Sequence, residues 1–402
     1  MWVMNDGIRE LFSLQQSIIN DFVTMTFNFD TPTNRLSTNS LRWDNFDHQK
    51  VLPLWVADMD FQSPPCVIEA LTKRVQDGVY GYTHAPIELN QLIADYLLEH
   101  YHWLIDPDWI VILPSVVSGL HTAVQQLTKK DEKVLIPNPI YNHFKLACIS
   151  ANRQFEQIQL QLVNERWVFP NNTLASLDTH KTKLALLCNP QNPGSTVFTE
   201  PELRALGNFC IEHDLWICSD EIHAGLVLDE NKKHIPIASL SNEVSQRTVT
   251  LMSLNKTFNF PGVGLAWAVA ENPELRAAMQ FGLHETIAPP SLFAYTATLA
   301  ALKEGEPWRQ ELIQYLRLNR DLIKNTIAGI DKLNIGKMEA SYLAWIDCSN
   351  LNHHNPYQLL LDAGLATSPG SQFGQSNFIR LNFGTQRARL NQALEIIQKT
   401  CK

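Results

Sequence analysis

The chain has 402 residues, of which 45% are hydrophobic and 18% charged, and its formal net charge at pH 7 is −9. This is the composition of a globular protein with enough apolar material for a large core, and the length predicts two or three domains. Because the balance is acidic and no dense cluster of lysine and arginine occurs, nucleic acids and anionic membranes are not expected as partners.

Two further features of the sequence concern location. No apolar run approaches the roughly 20 residues that a membrane-spanning helix needs, and charged side chains replace the apolar block of a secretory signal in residues 1–10. The seven cysteines are dispersed without a C-x-x-C pair or the spacing of a zinc site, which is typical of reduced thiols. We therefore expect a cytoplasmic protein without a metal site.

The first part of the chain divides into two pieces. Residues 1–24 are predicted to be an N-terminal extension without chemistry of its own, and the sequence leaves open whether it is native. Residues 25–79 contain an extended stretch followed by a helix, because Ile68, Leu71 and Val75 fall on one apolar stripe. We expect this segment to pack with the C-terminal part of the chain.

From residue 80 to residue 310, short apolar strands alternate with helices. Strands are predicted over 109–113, 133–136, 183–188, 215–219, 248–252 and 265–269, and helices over 87–101, 116–127, 141–150 and 201–213. Apolar strands that alternate with helices predict an α/β fold with a mostly parallel sheet covered on both faces. We assign this region to one large domain.

The C-terminal region has a different pattern. Leu312, Leu316 and Ile323 share one face of a long helical region. Strands are then predicted over 342–346 and 378–383, with helices over 357–363 and 390–399. This mixture predicts a smaller α+β domain over residues 311–402.

Two strand ends carry ionisable side chains that are costly to bury. Lys256 follows the apolar strand 248–252, where burial disfavours the ammonium form and makes the amine a nucleophile toward an aldehyde. Asp220 and Glu221 follow strand 215–219, and such carboxylates need a cation, for which a protonated pyridine nitrogen is suitable. Taken alone, a surface lysine and a helix-capping aspartate are the alternatives.

Three other strand ends carry polar groups of a complementary kind. The stretch 115–119 begins a helix with small residues, and its free N–H groups suit an anion. Tyr141 and Asn192 follow two further strands and supply an aromatic ring and a rigidly held amide. Taken one by one, a capping serine, a core tyrosine and a turn are the alternatives. Because ligands bind at the carboxyl ends of parallel strands, we expect all these side chains to meet.

In combination these residues describe a pyridoxal 5′-phosphate site, and the sequence resembles the fold type I enzymes of the aminotransferase class I/II superfamily. More narrowly, it is similar to the bacterial cystathionine β-lyase, or C–S lyase, branch. The resemblance extends from about Phe27 to the C-terminus. The narrower match rests on Leu54-Trp55-Val56-Ala57-Asp58-Met59-Asp60-Phe61, Gly81-Tyr82-Thr83, Ser219-Asp220-Glu221-Ile222-His223, Lys256-Thr257-Phe258-Asn259, Tyr342-Leu343-Ala344-Trp345 and Arg380-Leu381-Asn382.

The resemblance implies a role for each matching position around the cofactor ring. Lys256 is expected to form the imine with the cofactor and to move the substrate α-proton. Asp220 is expected to pair with the pyridinium, and Tyr141 to stack on the ring. Asn192 is expected to hydrogen-bond the phenolic oxygen, and His223 to support the same region.

The resemblance also implies which groups bind the phosphate and the substrate. The phosphate is expected to contact Ser253, the backbone at Val117 and Ser118, and, from the neighbouring subunit of a homodimer, Tyr82. The amino acid substrate is expected to contact Arg380, which holds the α-carboxylate in a bidentate pair, Asn192, and a mouth formed by Trp55 and Ala57.

The sequence departs from the family pattern at two places. After Asn192-Pro193 the family has a variable residue, a glycine and a basic residue, whereas this chain has Gly194-Ser195-Thr196, which leaves the turn geometry open and removes a positive charge. The residue before the lysine is a small serine in the family and Asn255 here. We expect both changes to alter substrate range or rate before they abolish function.

Three functions are compatible with these residues. The favoured prediction is a β-lyase that eliminates a thiol from cystathionine or a similar cysteine conjugate and yields pyruvate and ammonia. An aminotransferase would use the same Lys256, Asp220 and Arg380, so these residues do not separate the two reactions. A cofactor-binding regulator without turnover is the third possibility, which the intact set of three disfavours.

Overall fold

The computed structural model describes residues 26–170, 174, 177, 179–284 and 287–402. The extension predicted over residues 1–24 lies outside this range. The strands are β1 Leu52–Pro53, β2 Ile110–Leu113, β3 Lys133–Asn138, β4 Gln154–Gln159, β5 Gln161–Val163, β6 Arg166–Val168, β7 Thr182–Cys188, β8 Trp216–Asp220, β9 Thr248–Met252, β10 Ala266–Val269, β11 Asn334–Ile335, β12 Leu343–Asp347, β13 Leu365–Ala366, β14 Ser368–Pro369 and β15 Phe378–Asn382.

Helices connect and cover these strands, and each helix predicted from the sequence is present within a few residues of its expected bounds. They are α1 Pro65–Gln76, α2 Leu89–Tyr101, α3 Val116–Leu127, α4 His143–Ser150, α5 Glu200–Glu212, α6 Asn242–Ser245, α7 Pro273–Leu283, α8 Leu292–Glu304, α9 Glu306–Ala328, α10 Pro356–Asp362 and α11 Arg387–Cys401. No helix among the described residues has the length and apolar character needed to cross a membrane.

The central element is a seven-stranded sheet with the strand order β2-β10-β9-β8-β7-β3-β4. The pairs from β9 through β4 are parallel, and β10 alone runs antiparallel to both of its neighbours. Side chains of β7 alternate between two cores: Leu184 and Leu186 pack with α3 on one face, and Ala185 and Leu187 pack with α5 on the other. The mostly parallel sheet covered on both faces, predicted from the sequence, is confirmed.

The sequence pattern did not indicate β4, β5 and β6. The strand β4 is the edge of the central sheet and has the polar sequence QFEQIQ, so it lacks the apolar run that marks the inner strands. The strands β5 and β6 form a hairpin turned by Asn164 and Glu165, both of which have positive φ angles. Edge strands and exposed hairpins need few apolar residues, which explains why they were missed.

A second sheet, with the order β11-β12-β15-β14, lies in the C-terminal part of the chain. The N-terminal segment adds to this region, since β1 pairs in parallel with β13 and the Asn382 N–H donates to the Leu54 carbonyl at 2.9 Å. The division into domains at 79/80 and 310/311 stays a prediction. The second of these boundaries falls inside α9, an uninterrupted helix.

The apolar stripe predicted for α1 faces the core only in part. Leu71 packs against the core, but Ile68 and Val75 are 42% and 51% exposed, and Val67, outside the predicted stripe, is completely buried. The helix is therefore correctly predicted, and its buried face only in part. In contrast, Leu312 and Leu316 of α9 are completely buried, as their shared face predicts.

A buried charge cluster fixes the N-terminal segment to the rest of the protein. Arg42 and Asp60 are both completely buried and form an ion pair at 3.2 Å. Asp60 also accepts hydrogen bonds from the Trp43 indole at 2.9 Å and the Thr385 hydroxyl at 2.8 Å. Burial alone would raise the pKa of Asp60, but the charge of Arg42 and these hydrogen bonds outweigh it and lower the pKa.

Replacing Asp60 by Asn keeps the shape of the side chain and removes the closer of the two carboxylates that pair with the buried Arg42, which leaves only Asp58 at 3.6 Å. We expect the free energy of unfolding to fall by about 3–5 kcal/mol, measured by urea denaturation. Because the pKa of Asp60 is lowered in the folded state, the contribution of Asp60 to stability is present above the ordinary carboxyl range and is lost as the pH falls through the folded pKa. The variant Asp60→Asn should lack this dependence of stability on acid. The exposed Asp47 pairs with Lys50, and Asp47→Asn should unfold like the unsubstituted protein; equal effects of the two variants would contradict the prediction.

Candidate active site

A cavity of about 360 Å³ opens where the carboxyl ends of the parallel strands face the second sheet and the N-terminal segment. Most residues predicted from the sequence line it, although they come from distant parts of the chain. They are Trp55, Ala57, Val117, Tyr141, Asn192, Asp220, His223, Lys256 and Arg380. The expectation that these strand ends meet is therefore confirmed, while the role of each residue stays a prediction.

Lys256 lies in the turn that follows β9 and is held against the N-terminal segment. Its Nζ donates to the Ala57 carbonyl at 2.5 Å. Burial lowers the pKa of Lys256 to about 8, and the charge of Asp58 partly offsets this effect. A large part of the amine is thus unprotonated at mildly alkaline pH, the form required of a nucleophile or base.

Asn259, three residues after Lys256, joins the lysine turn to the segment that carries Ala57. Its side-chain oxygen accepts from the Met59 N–H at 2.8 Å, and its nitrogen donates to the carbonyls of Met59 and Phe61 at 2.9 and 2.6 Å. The sequence analysis cited Asn259 only as part of a motif. The structure gives the physical reason for an amide at this position, because it fixes the backbone that accepts from Lys256.

Asp220 ends β8 and is buried in the cavity wall. Its carboxylate accepts a hydrogen bond from the Ile222 N–H at 3.1 Å. Burial raises the pKa of Asp220 to about 7, the charge of Glu221 adds to the increase, and the charge of Lys256 opposes it. A cation placed beside this carboxylate would lower the pKa again and be stabilised in return.

His223 lies in the same wall and is neutral. Burial lowers the pKa of His223 to about 3, with smaller contributions from the charges of Lys256 and Arg380. Its Nδ1 is buried and has no hydrogen-bond partner among the described residues. The imidazole therefore offers a polar atom to the cavity without adding a charge.

Arg380, on β15, is a buried cation without a carboxylate. Its Nη1 donates to the Asn192 side-chain oxygen at 3.0 Å, and its Nη2 donates to the Trp55 carbonyl at 3.1 Å and the Ser368 hydroxyl at 3.2 Å. The guanidinium lies 4.5 Å from the centre of the Phe373 ring. No carboxylate of the described residues forms an ion pair with it, and burial lowers its pKa to about 10.

The turn after Asn192, where the sequence departs from the family pattern, has a defined geometry. The Gly194 N–H donates to the Gln191 side chain at 2.5 Å, and a Cβ at position 194 would lie 2.7 Å from both Gln191 and Trp167, so glycine is required. Ser195 takes the left-handed conformation, with φ of 58°, in which its hydroxyl donates to the Leu343 carbonyl at 2.6 Å. Both Asn-Pro peptide bonds of this turn are cis.

A positive charge is present next to this turn, although Thr196 stands where the family has a basic residue. Arg166, on the β6 strand, donates to the Val197 carbonyl at 2.9 Å and to the Glu339 carboxylate at 2.7 Å. Glu339 in turn accepts from the Val197 N–H at 2.8 Å. Arg166 also forms an ion pair with Glu202 at 2.9 Å, so two carboxylates balance its charge next to the turn.

Three predicted site residues do not line the cavity. The Ser118 hydroxyl donates to the Ser115 carbonyl at 2.7 Å, and the Ser118 N–H donates to the Ser115 hydroxyl at 3.0 Å as a helix cap. The Ser253 hydroxyl donates to the Leu265 carbonyl at 2.6 Å. Since a hydroxyl has a single hydrogen, the Ser253 hydroxyl has none left for a phosphate, and the Ser118 N–H, the backbone group expected at the phosphate, is used in the helix cap. Tyr82 is fully exposed on the surface of the protomer.

The cavity wall also contains residues that the sequence analysis did not single out. Ser368 and Phe373 contact Arg380, and no strand end or motif pointed to them. Cys188, the last residue of β7, lines the wall, and its thiol donates to the Pro190 carbonyl at 3.4 Å. No group of three or more His, Cys, Asp and Glu side chains arranged to bind a metal ion occurs in the described part of the chain.

Comparisons with known proteins agree with this geometry. The family model described as Aminotransferase class I and II matches residues 49–397. Cystathionine beta-lyase PatB of Bacillus subtilis (strain 168) is 32% identical over 383 residues, which are 92% of this chain and 99% of that protein. The crystal structure of OvoB matches with a TM-score of 0.91 and 40% identity, over 94% of this chain and 99% of that one.

A further solved structure carries a cofactor. Cystalysin from Treponema denticola, whose crystal structure contains pyridoxal 5′-phosphate, matches with a TM-score of 0.89 and 27% identity. The match covers 94% of this chain and 99% of cystalysin. The fold class predicted from the sequence is therefore confirmed over almost the whole chain.

The lowered pKa of Lys256 can be tested directly. We expect acetylation of Lys256 by a small anhydride to rise with pH around a midpoint near about pH 8, against about pH 10.4 for an ordinary lysine. Competitive labelling followed by peptide mass spectrometry measures the midpoint, with the exposed Lys332 as an internal reference. In Asp220→Asn, which removes an anion that raises the pKa of Lys256, the midpoint should fall further; a midpoint near that of an ordinary lysine would contradict the prediction.

Proposed function

The chain belongs to the aminotransferase class I and II family, and from that premise we propose that it is a pyridoxal 5′-phosphate-dependent carbon–sulfur β-lyase. The substrate is cystathionine or a similar cysteine S-conjugate. The enzyme removes the α-proton, breaks the bond between Cβ and sulfur and releases a thiol, and water converts the remaining fragment to pyruvate and ammonia. The relative named cystathionine beta-lyase supports this reaction over transamination.

The observation that carries the proposal is the joint burial of Lys256 and Arg380 in one cavity. A buried guanidinium without a carboxylate partner is costly, and an α-carboxylate brought by the substrate would remove this cost. A lysine whose pKa is lowered to about 8 lines the same space and is suited to imine formation and proton transfer. Together they bind the acid group of an amino acid and act at its α-carbon.

The residues of the cavity fit pyridoxal 5′-phosphate. Asp220 is a buried carboxylate in need of a cation, and His223 Nδ1 is a buried polar atom without a partner, both at the place expected for the ring. The first N–H groups of α3, at Val116 and Val117, have no partner within the helix and would hold the phosphate. When bound, the cofactor supplies an aldehyde for the lysine and a ring that accepts electrons from the α-carbon.

The protein residues then have distinct tasks in the reaction. Arg380 would orient the substrate by its α-carboxylate, and Asn192, already held by Arg380, would hydrogen-bond the phenolic oxygen. Tyr141 would cover the ring, and Trp55 would close the mouth of the cavity. Lys256 would accept the α-proton at Nζ, for which its lowered pKa is suited.

We also propose that the enzyme is a cytoplasmic homodimer in which Tyr82 reaches the phosphate of the neighbouring subunit. The segment between α1 and α2 supports a second copy as its partner, since Val79, Tyr82 and Ile87 are all more than 70% exposed. Apolar side chains grouped in this way are typical of an interface. All seven cysteines are free thiols, which supports a reducing compartment.

The reaction is tested by supplying cystathionine to the protein loaded with pyridoxal 5′-phosphate. We expect release of pyruvate and a thiol without any keto acid, and a rate at least about 100-fold lower in Lys256→Ala, because the base and the imine-forming amine are both lost. Lys332→Ala, a change on the exposed surface, is the matched control and should retain the full rate. Strict dependence on 2-oxoglutarate, or full activity of Lys256→Ala, would contradict the assignment.

The role of Tyr82 is tested by cofactor affinity and oligomeric state together. Tyr82→Phe should weaken binding of pyridoxal 5′-phosphate by about 10-fold or more, because a hydrogen bond to a charged group is lost. Tyr80→Phe is the matched control, since the Tyr80 hydroxyl is already used on the Val75 carbonyl at 2.7 Å. Light scattering should give a dimer for all three proteins. A monomer, or equal affinities of the two variants, would contradict the role.

A further inference from the structure

The side chain of Asn255, beside Lys256, is buried in the cavity wall without a hydrogen-bond partner. Asn255 is 7% exposed and lines the cavity, and its Oδ1 is buried and unpartnered among the described residues. Its backbone has partners, since its N–H donates to the Ser253 hydroxyl at 3.1 Å and its carbonyl accepts from the Phe260 N–H at 3.1 Å. A buried amide without partners costs free energy, so a ligand group that it binds would offset that cost.

The sheet order places Asn255 at the end of the cavity where α3 begins. Asn255 follows β9, and β10 alone separates β9 from β2, the strand that leads into α3. The loop after Lys256 passes close to the residues before α3, since a Cβ on Gly264 would lie 3.1 Å from the Pro114 carbonyl. Asn255, Val116 and Val117 all line the same cavity, and the N–H groups at the start of α3 favour an anion there.

The side-chain hydroxyls at this end are already used, and that of Ser115, which lines the cavity, donates to the Ser118 hydroxyl at 3.2 Å. The hydrogen of Ser253 goes to the Leu265 carbonyl, and that of Ser118 goes to the Ser115 carbonyl. Arg380 contacts Asn192 in the turn after β7, and β7 is three strands away from β10 in the sheet. An anion bound at the start of α3 therefore finds backbone N–H groups and one free side-chain amide.

We propose that Asn255 donates a hydrogen bond from its side-chain Nδ2 to the phosphate of the cofactor, in place of the Ser253 hydroxyl predicted for that contact. This inference rests on the proposed cofactor and is independent of which reaction the enzyme catalyses. The amide has two N–H donors and no charge, and rotation by half a turn exchanges Nδ2 with Oδ1, so a bound phosphate selects the donor orientation. Asn255 thus keeps a hydrogen-bond donor at the position of the family serine, but the donor is an amide instead of a hydroxyl.

The experiment compares two ligands that differ only in the phosphate, pyridoxal 5′-phosphate and pyridoxal, by absorbance titration of the cofactor-free protein. In Asn255→Ala we expect the dissociation constant for pyridoxal 5′-phosphate to rise about 10- to 100-fold and that for pyridoxal to change less than about twofold. Asn255→Asp, which has nearly the same shape, should weaken pyridoxal 5′-phosphate binding further through repulsion and again spare pyridoxal.

Ser253→Ala is the matched control, and its effect should be equal for the two ligands because its hydroxyl serves the Leu265 carbonyl. Equal weakening of both ligands in Asn255→Ala, or no weakening, would overturn the proposal, and so would a phosphate-specific loss confined to Ser253→Ala. Binding of neither ligand by the unsubstituted protein would overturn the proposed function as well. A protein that binds both ligands but eliminates no thiol would overturn the β-lyase assignment and leave the contact of Asn255 supported.

Discussion

The desolvation of three ionisable side chains in one cavity is the constraint on which the rest of the structure depends. Lys256, Asp220 and Arg380 each have a pKa displaced toward the uncharged form by burial. None of them is neutralised by a close ion pair within the described protein. A pyridinium would complement the charge of Asp220 and a carboxylate that of Arg380, whereas an aldehyde would react with the uncharged amine of Lys256.

The N-terminal segment closes the site that lies at the carboxyl ends of the parallel strands. Asn382 donates to the carbonyls of Val56 and Asp58, and Tyr342 donates to the Ala57 carbonyl at 3.0 Å, so the backbone opposite Lys256 is held from the second sheet. The buried pair of Arg42 and Asp60 anchors the same segment further along. The wall of the cavity is therefore as rigid as the sheets that support it.

The inner strands and the strand-end side chains could be predicted from the sequence because burial leaves a clear pattern. A largely apolar run such as Thr182–Cys188 is compatible with few structures other than a buried strand. Polar residues directly after such a run cost free energy to bury unless they bind a partner, so they indicate a functional site. The polar edge strand β4 has no such signal. Arg380 and Trp55 were found through the family resemblance, since nothing local distinguishes a buried arginine on a strand from a surface one.

Other features depend on the folded arrangement and left no trace in the sequence. Ser253 was predicted to contact the phosphate by its position, but its hydroxyl meets the Leu265 carbonyl across the neighbouring strand, a pairing set by β10. Arg166 lies beside the turn of Thr196 because the β6 strand passes there, and Glu202 and Glu339 balance its charge. The buried face of α1 is set by its packing against α8, which the apolar spacing of α1 alone does not indicate.

The thiol in the cavity wall has a consequence for an enzyme that liberates sulfur compounds. Burial raises the pKa of Cys188 well above its usual value, and the neighbouring charge of Asp220 raises it further. The thiolate, which is the form that attacks disulfides and electrophiles, is therefore scarcely populated at neutral pH. We therefore expect Cys188 to react slowly with disulfides and electrophiles that enter the cavity, which would limit trapping of the enzyme by oxidised forms of a thiol product.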